Sequence, residues 1–406
     1  MSQAWRCCTL GTMTTPHTIT VLGLGRLGAP IATRLADQGW HVIGWTRSGR
    51  PAAGSVEPAG DANEAVQKAD IVLLCLFDGP ACEQVLDQVR DSLRPDAVVL
   101  NTSTVGPDEA AALAARFGPN YVHAPVLGSG PAVANGALRI LAAGNAEPFD
   151  AVRPVLEALG TVRRVEDAAT AAALKLVANS SLAGAVFALR DSLQQADALG
   201  LPRAAALDIL ELGLLGGLVR KRDFLIEPSA TAKPGTPEAT FTIGALAKDM
   251  ALLADATDKP LPIAAELADA PAGPEADIAV VATAPAVDDA VLEAVLEPLR
   301  AYIRGHATRD PAHFREAFLS SAHIEGIRDG VFVSWPLDEY CAMFDGQPAE
   351  DESTRTRRID SVRVHGSVAS AGMTLKHGPD TFTDIFLLVR VGDGWRIANK
   401  AYHRHS

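Results

Sequence analysis

One short stretch near the amino end limits the possible folds of this chain more than any other. An apolar run beginning at Ile19 ends in the spacing Gly23-x-Gly25-x-x-Gly28, and a helical pattern follows it as far as Gly39. The first glycine permits a tight turn, the second a close approach of backbone to a ligand, and the third close packing of the helix on a sheet. The free N–H groups at the start of such a helix attract phosphate. The stretch therefore predicts a dinucleotide site formed by Gly23, Leu24, Gly25, Arg26, Leu27 and Gly28.

A second buried strand, Trp40 to Trp45, leads into the segment that would contact the ribose of the dinucleotide. That segment, Thr46-Arg47-Ser48-Gly49-Arg50, has no carboxylate to accept hydrogen bonds from a free 2′-hydroxyl. Arg47 and Arg50, with Thr46 and Ser48, instead suit a 2′-phosphate. We therefore expect NADP(H) rather than NAD(H), although both arginines could also be simply solvated.

Short β runs then alternate with amphipathic helices, which predicts a parallel sheet covered on both faces. The helices are expected at 62–69, 80–93 and 107–117, and the strands at 70–76 and 97–101. Loops at the carboxyl ends of parallel strands line the cofactor crevice. We therefore expect Leu76, Phe77 and Thr104 to contact the cofactor and Ser103 to contact a substrate, although Ser103 and Thr104 could also simply form the turn.

A glycine-dense segment, 128–144, follows the strand-like run at Tyr121. Backbone N–H groups in such a segment can bind an anion, so Gly128 and Ser129 are candidates for holding a substrate carboxylate. A flexible hairpin is the alternative interpretation.

From Ala168 to Leu199 the pattern becomes one long, mostly apolar helix, and helical composition continues to about residue 270 with breaks at Gly200-Leu-Pro202 and Gly235-Thr-Pro237. Lys175 and Asn179 are four residues apart in the first helix and so share a face. A lysine among so many apolar residues either extends its amine to water or serves a purpose. Lys248 lies on another helix of the same region.

The overall charge and the cysteines restrict the class of protein. The 406 residues carry a net charge of −13 with a pI near 5.2, which argues against a nucleic-acid partner. The five cysteines match no zinc or redox spacing, so we expect no metal and a reducing, cytoplasmic setting. Residues 1–15 are expected to be a flexible tail, neither a signal peptide nor a membrane span. No segment approaches the roughly 20 apolar residues of a membrane helix, so a soluble protein is expected.

Residues 271–285, rich in Pro, Ala and Gly, form a plausible boundary, beyond which the composition changes. A helix at 287–304 is followed by runs in which apolar and polar residues alternate, as in antiparallel strands with one wet face. We expect strands at 331–335, 359–369, 371–375, 382–390 and 394–402.

The five motifs of residues 17–284 together resemble the β-hydroxyacid dehydrogenase family, which includes 6-phosphogluconate dehydrogenase, 3-hydroxyisobutyrate dehydrogenase and glyoxylate reductase. They are the glycine loop, Ser103-Thr104, the Ala-Pro-Val segment before Gly128, the Lys175/Asn179 pair and Lys248-Asp249. The resemblance implies that Lys175 is the catalytic acid/base, that Asn179 and Lys248 hold it or the substrate, and that the chain forms a homodimer. Imine reductases, close relatives, usually have another residue at the lysine position. The family's Ser-Gly-Gly is here replaced by Leu127-Gly128-Ser129.

Residues 286–406 resemble the nuclear transport factor 2-like, or SnoaL-like, cone fold in its lumazine-binding branch, whose ending is similar to Trp395-Arg-Ile-Ala-Asn399-Lys400-Ala-Tyr402. His323, Trp335 and Asp384 are candidates for lining its cavity. The expected architecture is a flexible tail (1–15), an α/β Rossmann domain (16–165), an all-α domain (166–284) and an α+β cone domain (286–406).

These observations favour an NADP(H)-dependent oxidoreductase that acts on a small hydroxyacid or the matching aldehyde or keto acid, with no membrane partner. An imine reductase is the first alternative, supported by the displaced Ser129 and the added cone domain. A nucleotide-sensing scaffold, with ligand binding or isomerase chemistry in the cone domain, is the second.

Overall fold

The computed structural model describes residues 17–49, 53–221, 225, 238–268, 270, 272–283, 288–328 and 330–405. Its contacts divide the chain between residues 284 and 285 into two units, each of which is described by itself.

A six-stranded sheet forms the centre of the first unit. Its strands are β1 (Thr18–Leu22), β2 (His41–Trp45), β3 (Glu57–Pro58), β4 (Ile71–Leu74), β5 (Val98–Asn101) and β6 (Tyr121–His123). They run parallel in the order β3-β2-β1-β4-β5-β6, as expected for a doubly wound sheet. All carboxyl ends therefore lie at one edge, where the loops after β1, β2, β4 and β5 meet.

Helices cover both faces of this sheet. They are α1 (Gly28–Asp37), α2 (Ala62–Val66), α3 (Gly79–Val89), α4 (Pro107–Phe117), α5 (Gly130–Ala134) and α6 (Ala146–Leu159). One apolar core joins the sheet to α1 and α6, for example through Ile31 and Val155, and a second joins it to α2, α3 and α4 through residues such as Leu86 and Leu113. Predicted helix α4 has the bounds expected from the sequence, and the other predicted elements differ by a few residues at their ends.

The glycine-dense segment contains more regular structure than the sequence predicted. A separate three-stranded sheet consists of β7 (Val126–Leu127), β8 (Leu138–Ala142) and β9 (Gly160–Arg164), with β8 in the middle. The flexible hairpin alternative is therefore wrong for 138–142, where Leu138, Ile140 and Leu141 are buried in the cores of the unit.

The second half of the first unit is helical, as predicted. Its helices are α7 (Ala168–Ala198), α8 (Arg203–Glu211), α9 (Gly216–Val219), α10 (Ile243–Thr257) and α11 (Pro262–Ala268). The side chain of Asp167 caps α7 by accepting a hydrogen bond from the Thr170 N–H at 2.7 Å, and Gly200, with φ of +68°, follows its end. The break predicted at Gly235-Thr-Pro237 lies outside the described residues.

Helix α7 differs from the expectation that no segment is long and apolar enough for a membrane helix. Among the described residues it is the one helix long and apolar enough, by length and composition, to cross a membrane. Twelve of its residues are nevertheless buried, and they pack on α4, α10 and the 3₁₀ turn Ile278–Thr283. Its apolar character is thus that of a core helix.

The second unit consists of a curved six-stranded sheet and three helices. The helices are α12 (Asp289–Thr308), α13 (Pro311–Ala317) and α14 (Leu337–Cys341). The strands are β10 (His323–Arg328), β11 (Val331–Pro336), β12 (Thr356–His365), β13 (Val368–His377), β14 (Asp380–Val391) and β15 (Gly394–His405). Their order is β11-β10-β15-β14-β13-β12, with β10 and β15 parallel and all other neighbours antiparallel. Its core includes Tyr302, Phe314 and Phe386.

Two features of this sheet differ from the sequence prediction. The expected strand at 359–369 is divided by a tight turn at Gly366, whose φ is +62°. Strand β10 was not predicted, because Gly326 interrupts its alternation. A Cβ there would lie 2.5 Å from the ring of Tyr402, so the small residue is required by packing on β15.

Candidate active site

The glycine turn after β1 has the geometry of a phosphate cradle. Gly23 has φ of +104° and donates from its N–H to the Trp45 carbonyl at 2.8 Å. A Cβ on Gly28 would lie 1.9 Å from the Gly23 carbonyl oxygen, so the fold itself requires both glycines. Gly25 is different, because it is exposed and a Cβ there would meet nothing within 4 Å. The open space beside Gly25 fits the pyrophosphate of a dinucleotide.

The other residues of the turn do not all face the same way. Leu24 is buried in the core, Leu27 is half-buried, and Arg26 is exposed. The Arg26 guanidinium pairs with the Glu275 carboxylate at 2.9 Å, an exposed contact of small energetic value.

The turn after β2 presents polar side chains beside the glycine turn. The Gly49 N–H donates to the Thr46 carbonyl at 3.1 Å, and the Thr46 and Ser48 hydroxyl oxygens lie 3.4 Å apart. Arg47 is exposed at the tip of this turn. Arg50, the second candidate for the 2′-phosphate, lies outside the described residues.

The loops after β4 and β5 are joined to each other and to α10. The Leu76 N–H donates to the Ser103 hydroxyl at 2.9 Å, and Ser103 is buried. The Lys248 ammonium donates to the Thr104 carbonyl at 2.8 Å and lies 5.4 Å from the centre of the exposed Phe77 ring. Ser103 therefore holds the two loops together, and its expected contact with substrate remains a prediction.

Lys175 and Asn179 form the start of a hydrogen-bonded chain inside the helical region. The Lys175 ammonium donates to the Asn179 side-chain carbonyl at 3.1 Å, and the Asn179 amide donates to a carboxylate oxygen of Asp249. The other Asp249 oxygen lies 2.8 Å from the Lys248 ammonium. Since Lys248 also donates to the Thr104 carbonyl, this line of hydrogen bonds and ion pairs links α7 and α10 to the carboxyl edge of the parallel sheet.

Burial determines the protonation of Lys175. The residue is 7% exposed, so its amine does not extend into water. This burial lowers the pKa of Lys175 from 10.5 to about 8, the Asp249 carboxylate partly opposes the effect, and the Lys248 charge adds to it. An amine with this pKa can both give and take a proton near neutral pH.

The predicted anion turn lies beside the start of α1. Gly128 has φ of +128° and is exposed, and Ser129 is half-buried at the beginning of α5. A Cβ on the next residue, Gly130, would lie 3.8 Å from the Arg26 carbonyl oxygen and 3.7 Å from the Pro30 side chain. This places Gly128 and Ser129 near the glycine turn, and their substrate role remains a prediction.

Asp249 has a central role in this site that the sequence did not predict. It is 2% exposed and holds both Asn179 and Lys248, a role that the motif Lys248-Asp249 did not predict. An acidic residue inside an apolar helix was the available signal. Among the described residues, no group of three or more His, Cys, Asp or Glu side chains could hold a metal ion.

The candidates in the second unit are only partly brought together. Trp335 and Asp384 line a cavity of about 700 Å³ in the curved sheet. The expectation for His323 is wrong: Ile324 faces the core, so the preceding side chain faces outward, where it is exposed and bonds to the Ser321 carbonyl at 3.2 Å.

Comparison with known proteins gives matches for both units. A family model described as "NAD binding domain of 6-phosphogluconate dehydrogenase" matches residues 18–172, and one described as "Putative lumazine-binding" matches residues 290–403. The chain is 31% identical over 203 residues to the oxidoreductase YfjR of Bacillus subtilis, which covers 47% of this chain and 71% of the relative. It is 30% identical over 201 residues to a probable 3-hydroxyisobutyrate dehydrogenase of Mycobacterium bovis, covering 48% of this chain and 68% of the relative.

The chain is also similar to a solved structure. The 3-hydroxyisobutyrate dehydrogenase of Mycobacterium tuberculosis, in a structure with L-serine, is 25% identical with a TM-score of 0.54. The similarity covers 66% of this chain and 98% of that one.

Proposed function

Since the chain belongs, through its first unit, to the β-hydroxyacid dehydrogenase family, and is an oxidoreductase with a nicotinamide dinucleotide site, we propose that it reduces a small aldehyde or keto acid with NADPH and oxidises the matching hydroxyacid with NADP⁺. The observation that carries the proposal is the buried Lys175, whose pKa of about 8 permits proton transfer in both directions.

The proposed cofactor contacts follow from the cradle and the turn after β2. Backbone N–H groups from Gly23 to Gly28 bind the pyrophosphate, and Arg47, with the Thr46 and Ser48 hydroxyls, binds the 2′-phosphate. Leu76, Phe77 and Thr104 face the nicotinamide side of the crevice. When bound, the nicotinamide supplies or accepts the hydride.

The protein's own contribution is to bind the substrate and to move one proton. During reduction, the Lys175 ammonium gives a proton to the carbonyl oxygen, and during oxidation the neutral amine accepts the hydroxyl proton. Asn179 fixes the direction of the amine, and the Asp249 and Lys248 pair holds Asn179. Gly128 and Ser129 bind the carboxylate of the substrate through N–H and hydroxyl donors.

Replacing the amine tests the mechanism. Lys175→Met keeps a side chain of similar length but removes the transferable proton, so turnover should fall by about a hundredfold to ten-thousandfold. NADPH affinity should be unchanged, because Lys175 is not part of the cradle. The measurement is NADPH absorbance with a panel of hydroxyacids, aldehydes, keto acids and cyclic imines, with the exposed Lys259→Met as the matched control.

The panel also separates the alternatives. Turnover of cyclic imines alone would identify an imine reductase. No turnover of any compound, with NADPH still bound, would favour the sensing scaffold. Full activity of Lys175→Met on the best substrate would contradict the lysine mechanism.

The cofactor preference has its own test. Arg47→Asp removes a charged phosphate ligand and adds a carboxylate that accepts from a free 2′-hydroxyl. NADPH affinity should therefore fall by about ten- to a hundredfold while NADH affinity rises. Nucleotide titrations of this variant and of Arg163→Asp, an exposed arginine on β9, would measure the change. Unchanged preference in Arg47→Asp would contradict the assignment.

A further inference from the structure

The second unit contains a cavity with a chemistry of its own. The cavity of about 700 Å³ opens in the curved sheet and is large enough for a compound of two or three fused rings. Aromatic side chains form much of its wall, and the Trp335 and Tyr402 rings lie parallel with their centres 6.2 Å apart. Phe344 and Phe382 also line it. Such walls favour a flat, mainly apolar ring system.

A buried ion pair lies in the wall of this cavity. The Lys400 ammonium is 2.8 Å from an oxygen of Asp384 and 2.6 Å from the Tyr302 hydroxyl, which donates to the same carboxylate oxygen at 2.6 Å. All three residues are buried. Removing an ion pair from water is costly and is often no better for stability than apolar packing. The pair is therefore a candidate for recognition of a ligand.

The Lys400 ammonium can donate one more hydrogen bond than its described contacts use. An ammonium has three N–H donors, and the described partners of Lys400 take two of them. The ammonium also lies 5.0 Å from the centre of the Tyr302 ring and 5.4 Å from that of Tyr402, so aromatic faces surround it. The third N–H is left for an oxygen inside the cavity.

The neighbouring histidines provide a second polar position. His306 is neutral, because burial holds its pKa well below the usual value, and its Nε2 lies 3.0 Å from the Tyr340 hydroxyl and 2.9 Å from that of Tyr302. His377 also lines the cavity, and within the described residues its buried Nε2 has no hydrogen-bond partner. An unsatisfied buried nitrogen is unfavourable and suits a second polar atom of a ligand.

The charge of the wall favours a ligand with a negative charge over one with a positive charge. Basic side chains outnumber acidic ones by three to two in a chain whose net charge is −13: Arg328, Lys400 and Arg404 against Asp380 and Asp384. Arg404 and Asp380 pair with each other at 2.7 Å. One positive charge in excess fits a ligand with a single ionised oxygen.

We propose that this cavity is a second binding site, separate from the dinucleotide site, for a flat fused-ring phenol or enol whose ionised oxygen accepts the third N–H of Lys400 and whose second polar atom bonds to His377. The aromatic walls bind the rings, and the third N–H of Lys400, together with the excess positive charge of the wall, favours an ionised hydroxyl over a ring that lacks it.

A pair of fluorescent probes tests the proposal on the full chain. The probe is 7-hydroxycoumarin, whose neutral and ionised forms have different excitation spectra, and coumarin is the matched ligand without the hydroxyl. We expect one molecule bound per chain, an excitation spectrum of the ionised form, and an affinity about tenfold or more above that of coumarin. Addition of NADPH should not displace the probe.

Variants locate the site. Lys400→Met combined with Asp384→Asn removes both charges together, so no lone charge is left buried, and it should abolish the preference for 7-hydroxycoumarin while coumarin still binds. Trp335→Leu should weaken both ligands, whereas Phe332→Leu, an exposed residue on the same strand, should weaken neither. Equal affinity for the two probes, no binding of either, displacement by NADPH, or a preference kept in the folded double variant would each overturn the proposal.

Discussion

The chemistry of the first unit depends on four side chains in one line: Lys175, Asn179, Asp249 and Lys248. Three of them could not be ranked as buried or exposed from the sequence, because Lys and Asp are usually at the surface. Their contacts explain why burial is tolerated, since Lys175 donates to Asn179, Asn179 donates to Asp249, and the Asp249 carboxylate pairs with the Lys248 ammonium. The line ends at the Thr104 carbonyl, at the sheet edge where the cofactor is proposed to bind.

The lowered pKa of Lys175 predicts opposite pH dependences for the two directions. Below about pH 8 the amine is protonated and serves reduction, and above it the neutral amine serves oxidation. The kcat/KM for reduction should therefore fall about tenfold per pH unit above this value, and that for oxidation should fall likewise below it. The free energy of unfolding should rise with pH between about 8 and 10.5, because only the unfolded chain keeps the proton there.

A substitution of Asn179 tests whether Lys175 sets these pH profiles. The Asn179 side-chain carbonyl stabilises the Lys175 ammonium, so Asn179→Leu should lower the pKa of Lys175. The pH dependences of both directions should then shift to lower pH by about one pH unit, because a hydrogen bond to a charged group contributes a free energy of about that size. Gln195→Leu, the same kind of change at an exposed position of α7, should leave them in place. A profile without a limb near pH 8, or one unaffected by Asn179→Leu, would show that another group transfers the proton.

At the scale of the elements, the turn between β1 and α1 contains two glycines that the fold requires and a third that the ligand requires. Gly28 is required by its contact with the Gly23 carbonyl, and Gly23 by its positive φ and by the Cys75 carbonyl beside it, whereas Gly25 borders open space. The spacing of three glycines in the sequence does not reveal this difference. It follows from how α1 approaches β1.

A matched pair of alanine substitutions tests this division. Gly28→Ala would place its Cβ 1.9 Å from a backbone oxygen, so α1 must shift and both the Tm and NADPH affinity should fall. Gly25→Ala should leave the Tm of the free protein within about a degree, since an open site changes stability by less than about 0.5 kcal/mol. It should still weaken NADPH binding by about tenfold or more, because the methyl group occupies the pyrophosphate position. Unchanged NADPH affinity in Gly25→Ala would place the dinucleotide elsewhere.

At the scale of the whole molecule, two units with separate apolar cores carry two sites with different chemistry. The first unit has the dinucleotide cradle and Lys175, and the second has the cavity with Lys400. A fold of the second kind serves many functions, so its presence alone does not identify a ligand. The class of ligand is inferred instead from the specific side chains that line its cavity.

Exposed apolar residues of the helical region lead us to propose a homodimer. Leu199, Ile209 and Leu212 are 75%, 70% and 85% exposed and lie within fourteen residues of the chain, so they offer apolar surface that an interface would bury. The double variant Ile209→Glu with Leu212→Glu should therefore be monomeric in size-exclusion chromatography with light scattering, while the unchanged chain is dimeric. Val331→Glu, at an exposed apolar residue of the second unit, should remain dimeric. A dimeric double variant would mean that association uses another surface.

The sequence by itself determined the parallel sheet, the glycine turn, the long helix α7 and the change of fold near residue 285, because these depend on local periodicity and on residues with special backbone freedom. It also indicated Lys175, since a lysine among apolar helix residues is unusual in any fold. Only the tertiary structure decided that Asp249 connects Asn179 with Lys248, that His323 faces outward, that β10 pairs with β15, and that Lys400 meets Asp384 and Tyr302 beside a cavity. Most of these contacts join residues far apart in the chain, such as Asn179 with Asp249 and Lys400 with Tyr302, and no local pattern encodes which distant partners packing will bring together.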